Sequence, residues 1–60
     1  MKKSEIKIGK IYTNNGAGKT TRAVIEIYVN SVKYRQNGNE KWMNFESFAR
    51  WAGREVGYEL

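Results

Sequence analysis

Hydrophobic and polar residues alternate along much of the chain with the period of two that is typical of β-strands. The strongest run covers residues 20–29 and is rich in β-branched side chains. Its predicted buried face consists of Ala23, Ile25, Ile27 and Val29, and the predicted solvent face consists of Arg22, Val24, Glu26 and Tyr28. Shorter runs surround Tyr34 and Trp42, and the pairs Asn30-Ser31 and Asn37-Gly38 are candidate hairpin turns between them.

The period changes after the last of these strands. Apolar residues then recur at helical spacing, at Phe45, Phe48, Ala49, Ala52 and Val56. Asn44 is a suitable N-cap, Arg54 suits the C-terminal end of the helix dipole, and Gly57 suits a helix stop. Gly53 inside this helix is expected to cost about 1 kcal/mol relative to alanine. The pattern therefore predicts a helix as the last element.

Several strands followed by one helix, within 60 residues, predict a β-rich α+β fold. We expect a small, partly open SH3-like barrel of four to five antiparallel strands with one C-terminal helix. A three-stranded antiparallel sheet with one packed helix is the alternative. Residues 1–5 are expected to form a frayed basic arm and residues 6–60 a single small domain. A core of this size contributes little net stability, so a homodimer is a further option.

The composition argues against catalysis. Cys and His are absent, which removes Ser–His and Cys–His nucleophilic pairs and the ordinary zinc sites. Six Glu residues are scattered among eleven Lys and Arg residues, with no spacing that brings two carboxylates together. Gly18-Lys19-Thr20 matches the end of a phosphate-binding loop, but Thr13 stands where the loop requires its first glycine. We expect a protein that is not an enzyme and needs no cofactor or metal.

The lack of an evident targeting segment bears on the location of the protein, and its net charge bears on the kind of partner it binds. No apolar segment follows the charged N-terminus and no apolar run is long enough to span a membrane, so a cytoplasmic protein is expected. The net charge of +5 favours acidic partners, above all DNA or RNA, although ordinary solubility charge is the alternative.

Basic and aromatic residues are interleaved, as in surfaces that bind single-stranded nucleic acid. The candidate nucleic-acid-binding residues are Lys10, Lys19, Tyr28, Lys33, Arg35, Lys41 and Trp42. Lys33 and Arg35 share a strand face, and Lys41 lies across the Asn37-Gly38 turn. Strand pairing is expected to bring these three cations together, which is unfavourable unless an anion binds there. The alternative is that the rings fill the core and the cations form a solvated face.

Four segments carry a resemblance to a known group of proteins. They are Ile8-Gly9-Lys10-Ile11-Tyr12-Thr13-Asn14, Arg22-Ala23-Val24-Ile25-Glu26-Ile27, Val32-Lys33-Tyr34 and Ser47-Phe48-Ala49-Arg50-Trp51-Ala52. Together they resemble short uncharacterised proteins encoded by phages and prophages of Gram-positive bacteria. The resemblance implies a shared fold and a phage accessory protein, acting on a host system. It assigns no functional residues, and many of those proteins are longer between Tyr34 and the helix.

A protein–protein interaction module is the alternative function, as a phage-encoded inhibitor or adaptor of a host protein. An exposed aromatic pair on the helix, or an open sheet edge, would then bind the partner. The candidate residues of this alternative site are Phe48, Arg50, Trp51 and Arg54.

Overall fold

A computed structural model describes residues 1–14 and 20–58. The strands are β1 (Lys10–Asn14), β2 (Thr21–Tyr28), β3 (Ser31–Gln36), β4 (Asn39–Asn44) and β5 (Ala52–Tyr58), and the helix α1 is Phe45–Trp51. A short 3-10 helix, Lys3–Glu5, precedes β1. The strands form one antiparallel sheet in the order β4-β3-β2-β1-β5, and α1 connects β4 to β5. This arrangement confirms the predicted fold class, a small SH3-like open barrel with one helix near its C-terminal end.

Two tight turns connect the three central strands. Asn37 and Gly38 form the β3–β4 turn with φ angles of 52° and 80°, as the sequence predicted. The β2–β3 turn consists of Val29 and Asn30, because Tyr28 pairs with Ser31. The predicted Asn30-Ser31 turn is therefore wrong by one residue. Its first residue, Val29, has a φ of 55°, a conformation that β-branched residues rarely adopt.

A β-bulge interrupts β2 halfway along its length. Val24 lies opposite Tyr34 and Glu26 lies opposite Lys33, which are neighbours on β3. Ile25 is therefore the extra residue on β2, and the side chains on either side of it change faces.

The bulge changes which residues of β2 are buried. Val24, predicted to face solvent, is only 2% exposed, and Ile27 packs against the core. Ala23 is buried, but Ile25 is half-buried and Val29 is 75% exposed. The predicted single buried face of four residues is thus wrong, because strict alternation does not continue through a bulge.

The helix begins where the sequence predicted and ends earlier. The Asn44 side chain accepts a hydrogen bond of 3.1 Å from the Ser47 N–H, which confirms the N-cap. The helix ends at Trp51, and Ala52 already belongs to β5. The four residues assigned to the helix interior, its end or its stop lie in a strand instead: Gly53, Arg54, Val56 and Gly57.

Pairing with β1 explains why the chain leaves the helix at this point. β5 pairs with β1 from Lys10 opposite Tyr58 to Asn14 opposite Ala52, with two register shifts on the way. The outer edge of β1 thereby gains backbone hydrogen bonds that a longer helix would leave unmade. Ala52 is buried although it is the first residue of β5 and lies outside the helix. Its spacing of four residues from Phe48 is therefore compatible with a strand as well as with a helix.

Aromatic rings are the largest side chains of the core. Phe48 of α1 is fully buried and meets Tyr12 of β1 edge-to-face, with ring centroids 5.9 Å apart. Its ring centroid also lies 6.0 Å from that of Tyr34 on β3. The buried cluster comprises Ile6, Tyr12, Val24, Val32, Tyr34, Phe48, Ala49 and Ala52.

Hydrogen bonds connect the N-terminal segment, where a frayed arm over residues 1–5 is predicted, to β1 and α1. The Tyr12 hydroxyl donates to the Glu5 carbonyl at 3.0 Å and accepts from the Lys7 N–H at 2.8 Å. The Met1 nitrogen donates to the Ala49 carbonyl at 2.8 Å, at the helix end.

We expect Tyr12→Phe to lower the free energy of unfolding by about 1–2 kcal/mol at neutral pH, because a part-buried donor and acceptor lose their partner. Burial is the main reason that the pKa of the Tyr12 phenol is raised. A raised pKa in the folded state gives stability that is complete below the unfolded pKa, near 10, and is lost as the pH rises through the folded pKa. Phenylalanine does not ionise, so the Tyr12→Phe variant should lose less stability than the wild-type chain as the pH rises through the alkaline range.

Urea unfolding of both proteins, at neutral pH and across the alkaline range, measures these effects. Tyr58→Phe is the matched control, since Tyr58 is 62% exposed and should change stability by less than about 0.5 kcal/mol. Equal effects of the two substitutions would contradict the role assigned to the Tyr12 hydroxyl.

We expect Val29→Asn to raise the free energy of unfolding by about 0.5–1 kcal/mol, because asparagine tolerates a positive φ better than a β-branched residue does. Asn37 has nearly the same φ and is also exposed, so Asn37→Val should lower stability by about 1 kcal/mol. Thermal or urea unfolding measures both, and changes of the same sign would refute the strain at Val29.

Candidate nucleic-acid interface

Cross-strand pairing places several predicted site residues on the outer side of the sheet. Lys33 of β3 lies between Glu26 of β2 and Trp42 of β4. Residues directly opposite each other share a face, and so do residues two apart on a strand. The face opposite the core therefore carries Glu26, Tyr28, Lys33, Arg35, Glu40 and Trp42, and we call it the outer aromatic face.

Two aromatic rings on this face are open to solvent. Tyr28 is 67% exposed and Trp42 is 49% exposed, whereas Tyr34, on the other face of the sheet, is buried. The Lys33 ammonium lies 6.0 Å from the centre of the Trp42 ring. Tyr28 and Trp42 are on strands two apart and offset by two residues, so they are about 12 Å apart and each can stack separately.

Glu40 neutralises part of the positive charge on this face. Its carboxylate accepts a 2.9 Å hydrogen bond from Arg35 Nη2 and lies 3.4 Å from Lys33 Nζ. The hydrogen bond from Arg35 is the largest cause, and that from Lys33 the second, of a lowered pKa of the Glu40 carboxyl group. The carboxylate is therefore ionised at neutral pH and joins the two cations.

The predicted cluster of three cations is not formed. Lys41 lies opposite Tyr34, so its side chain is on the other face of the sheet from Lys33 and Arg35. The reason is the register of the hairpin: a two-residue Asn37-Gly38 turn places Glu40 opposite Arg35. Counting outward from that turn would have identified Glu40 from the sequence.

The remaining predicted nucleic-acid-binding residues do not join the outer aromatic face. Lys10 begins β1, near the other edge of the sheet, where its ammonium lies 3.1 Å from Glu55 and 5.5 Å from the centre of the Tyr58 ring. Lys19 lies outside the described residues.

The exposed aromatic pair predicted on the helix is also not formed. Phe48 is fully buried, and Trp51 is half-buried, with its ring centroid 5.5 Å from that of Phe48. Arg50 is exposed on α1, and Arg54 is exposed on β5, opposite Thr13. The helix needs its inward aromatic residues for the core, so it offers no Phe48–Trp51 anchor to a partner.

Arg22 is a structural residue, although strict alternation along β2 predicts it on the solvent face. Its guanidinium carbon lies 4.2 Å from the Trp51 ring centre and 4.7 Å from the Tyr34 ring centre. Its Nε donates to Gln36 Oε1 at 2.8 Å, and its Nη1 lies 3.4 Å from Met43 Sδ. Arg22 thus connects Trp51 of α1 to Tyr34 of β3, and no spacing in the sequence signalled this contact.

Comparisons with known proteins give no match to a protein-family model, to a curated protein or to a solved structure. Within residues 1–14 and 20–58, no three acidic, His or Cys side chains come together to hold a metal ion. In the same residues, no helix has the length and apolar character needed to cross a membrane.

We expect Arg22→Ala to lower the free energy of unfolding by about 1–2 kcal/mol, because two cation–ring contacts and a hydrogen bond to Gln36 are lost. Arg50→Ala is the matched control and should change stability by less than about 0.5 kcal/mol, since Arg50 is exposed. Urea unfolding followed by circular dichroism measures both. Similar losses in the two variants would show that the ring contacts contribute nothing.

Proposed function

We propose that the protein is a non-catalytic module that binds single-stranded DNA or RNA across the outer aromatic face. The observation that supports this function is the exposure of Tyr28 and Trp42 on the same sheet face as Lys33. Exposed rings on a sheet stack on bases, each worth about 1–3 kcal/mol, and a neighbouring cation neutralises a phosphate. The residues proposed to contact the ligand are Tyr28, Lys33, Arg35 and Trp42.

The charge of the outer aromatic face predicts how such binding would respond to salt. Lys33 and Arg35 are balanced by Glu26 and Glu40 on the same face. The net charge of +5 attracts nucleic acid at long range, but few phosphates are neutralised locally. Stacking should therefore supply more of the affinity than phosphate contacts do, and the salt dependence should be shallow.

The biological setting belongs to the same proposal. The sequence resemblance supports a phage accessory protein, and a nucleic-acid ligand fits a cytoplasmic location. The second candidate function is protein binding, as an inhibitor or adaptor of a host protein. The observation that favours it is the exposed edge strand β4, because the burial of Phe48 removes the helix as the binding element.

Fluorescence anisotropy with short single-stranded DNA, single-stranded RNA and duplex DNA tests the proposed function. We expect single strands to bind more tightly than duplex, because only unpaired bases can stack on the rings. Tyr28→Ala should weaken binding about 5–100-fold, as expected for the loss of one stacked base. Tyr58→Ala removes an equally exposed ring from β5 and should leave the affinity unchanged.

Glu40→Gln tests the electrostatic part of the same mechanism. It removes the negative charge that lies between Lys33 and Arg35, so it should strengthen binding and steepen the salt dependence by about 0.7 for each phosphate newly contacted. Equal losses in Tyr28→Ala and Tyr58→Ala, or an affinity unaffected by Glu40→Gln, would exclude this face as the binding site. A lack of any binding at physiological salt would exclude the function itself.

A further inference from the structure

The two edges of the sheet differ in regularity. β5 carries two register shifts against β1, whereas β4 pairs with β3 without interruption from Asn39 to Asn44. Bulges protect an edge strand from pairing with another chain, and a regular, exposed edge invites it. Every residue of β4 is exposed except Met43, which is half-buried. β4 is therefore the edge that is open to strand addition.

The register shows which backbone groups of β4 are available. In an antiparallel pair, alternate residues direct their N–H and C=O groups toward the partner strand or away from it. The two-residue turn makes Gln36–Asn39 a hydrogen-bonded pair. At the other end of the hairpin, the Phe45 N–H donates to the Asn30 carbonyl at 2.7 Å, which agrees with the same alternation. The backbone groups of Glu40, Trp42 and Asn44 therefore point away from β3.

We propose that β4 pairs antiparallel with β4 of a second copy of this chain, about a twofold axis at Trp42. Outward-pointing residues must face each other, which leaves axes at Lys41 or Trp42 for the longest overlap of the two strands. The axis at Lys41 places Lys41 opposite Lys41, and like charges directly opposite are destabilising. Axes before Lys41 or beyond Trp42 shorten the overlap, and those beyond Trp42 run into α1.

The axis at Trp42 gives a self-complementary pairing. Trp42 meets its own copy, Lys41 lies opposite Met43 of the second copy, and Glu40 lies opposite Asn44. No like charges face each other in this register, and two half-exposed tryptophan rings lie side by side. The pairing is independent of the proposed function, since it requires no nucleic acid.

The size of this interface determines its strength. Two six-residue strands bury far less than the roughly 1,200–2,000 Å² of a stable interface, so the dimer is weak and depends on concentration. Where nucleic acid also binds, pairing would join two outer aromatic faces into one surface with the two Trp42 rings at its centre.

Disulfide trapping tests the register directly, because the chain contains no cysteine. The α-carbons of a hydrogen-bonded antiparallel pair are about 5.5 Å apart, within the range that a disulfide spans. Oxidised Trp42→Cys should therefore form a covalent dimer in high yield. Tyr28→Cys, an exposed site on the same face but two strands from the edge, should remain monomeric. Equal dimer yields from the two variants would overturn the register.

Sedimentation equilibrium of the reduced proteins tests the association itself. The wild-type chain should form dimers as its concentration rises toward about 1 mM. Trp42→Arg places like charges on the axis and should weaken association at least about 10-fold, whereas Trp42→Phe should retain it. Circular dichroism confirms that both variants are folded. A wild-type chain that remains monomeric at the highest concentration, or equal association of the two variants, would overturn the proposal.

Discussion

The contact of Phe48 with Tyr12 and Tyr34 is the interaction on which the rest of the structure depends. Phe48 belongs to α1, Tyr12 to β1 and Tyr34 to β3. The three rings therefore join the helix to two strands of the sheet. The chain has no disulfide and no leucine before its last residue, and aromatic rings are the largest of its buried side chains. The same chain nevertheless leaves Tyr28 and Trp42 exposed on one face, which makes that face a candidate binding surface.

Polar and charged groups at the core rings attach further parts of the chain to this interior. The Tyr12 hydroxyl ties the N-terminal segment to β1, and the guanidinium of Arg22 stacks on Tyr34 and Trp51. A domain this small has little apolar area to bury, so such contacts at the rim contribute a larger share of its stability. They also explain why Trp51 does not serve as a free anchor.

Electrostatics limits what the outer aromatic face can do. The +5 charge of the chain suggests a strongly basic surface, yet Glu40 joins Lys33 and Arg35 and leaves this face close to neutral. Local pairing of charges, and not the total, sets how strongly a surface attracts phosphates. The face is therefore better suited to stacking on bases than to binding the phosphate backbone of a nucleic acid. β4, which borders it, adds a regular open edge where strand addition would extend the same surface.

The sequence by itself determined the fold class, the Asn37-Gly38 turn and the Asn44 cap, because each depends on neighbouring residues and a local period. It also contained the register that pairs Arg35 with Glu40, since a two-residue turn allows only one pairing. Only the tertiary structure decided the bulge at Ile25, the fifth strand after Trp51 and the burial of Phe48. These features arise from contacts between segments distant in the chain: β5 forms because β1 has an unpaired edge, and Phe48 is buried because Tyr12 and Tyr34 lie beneath it.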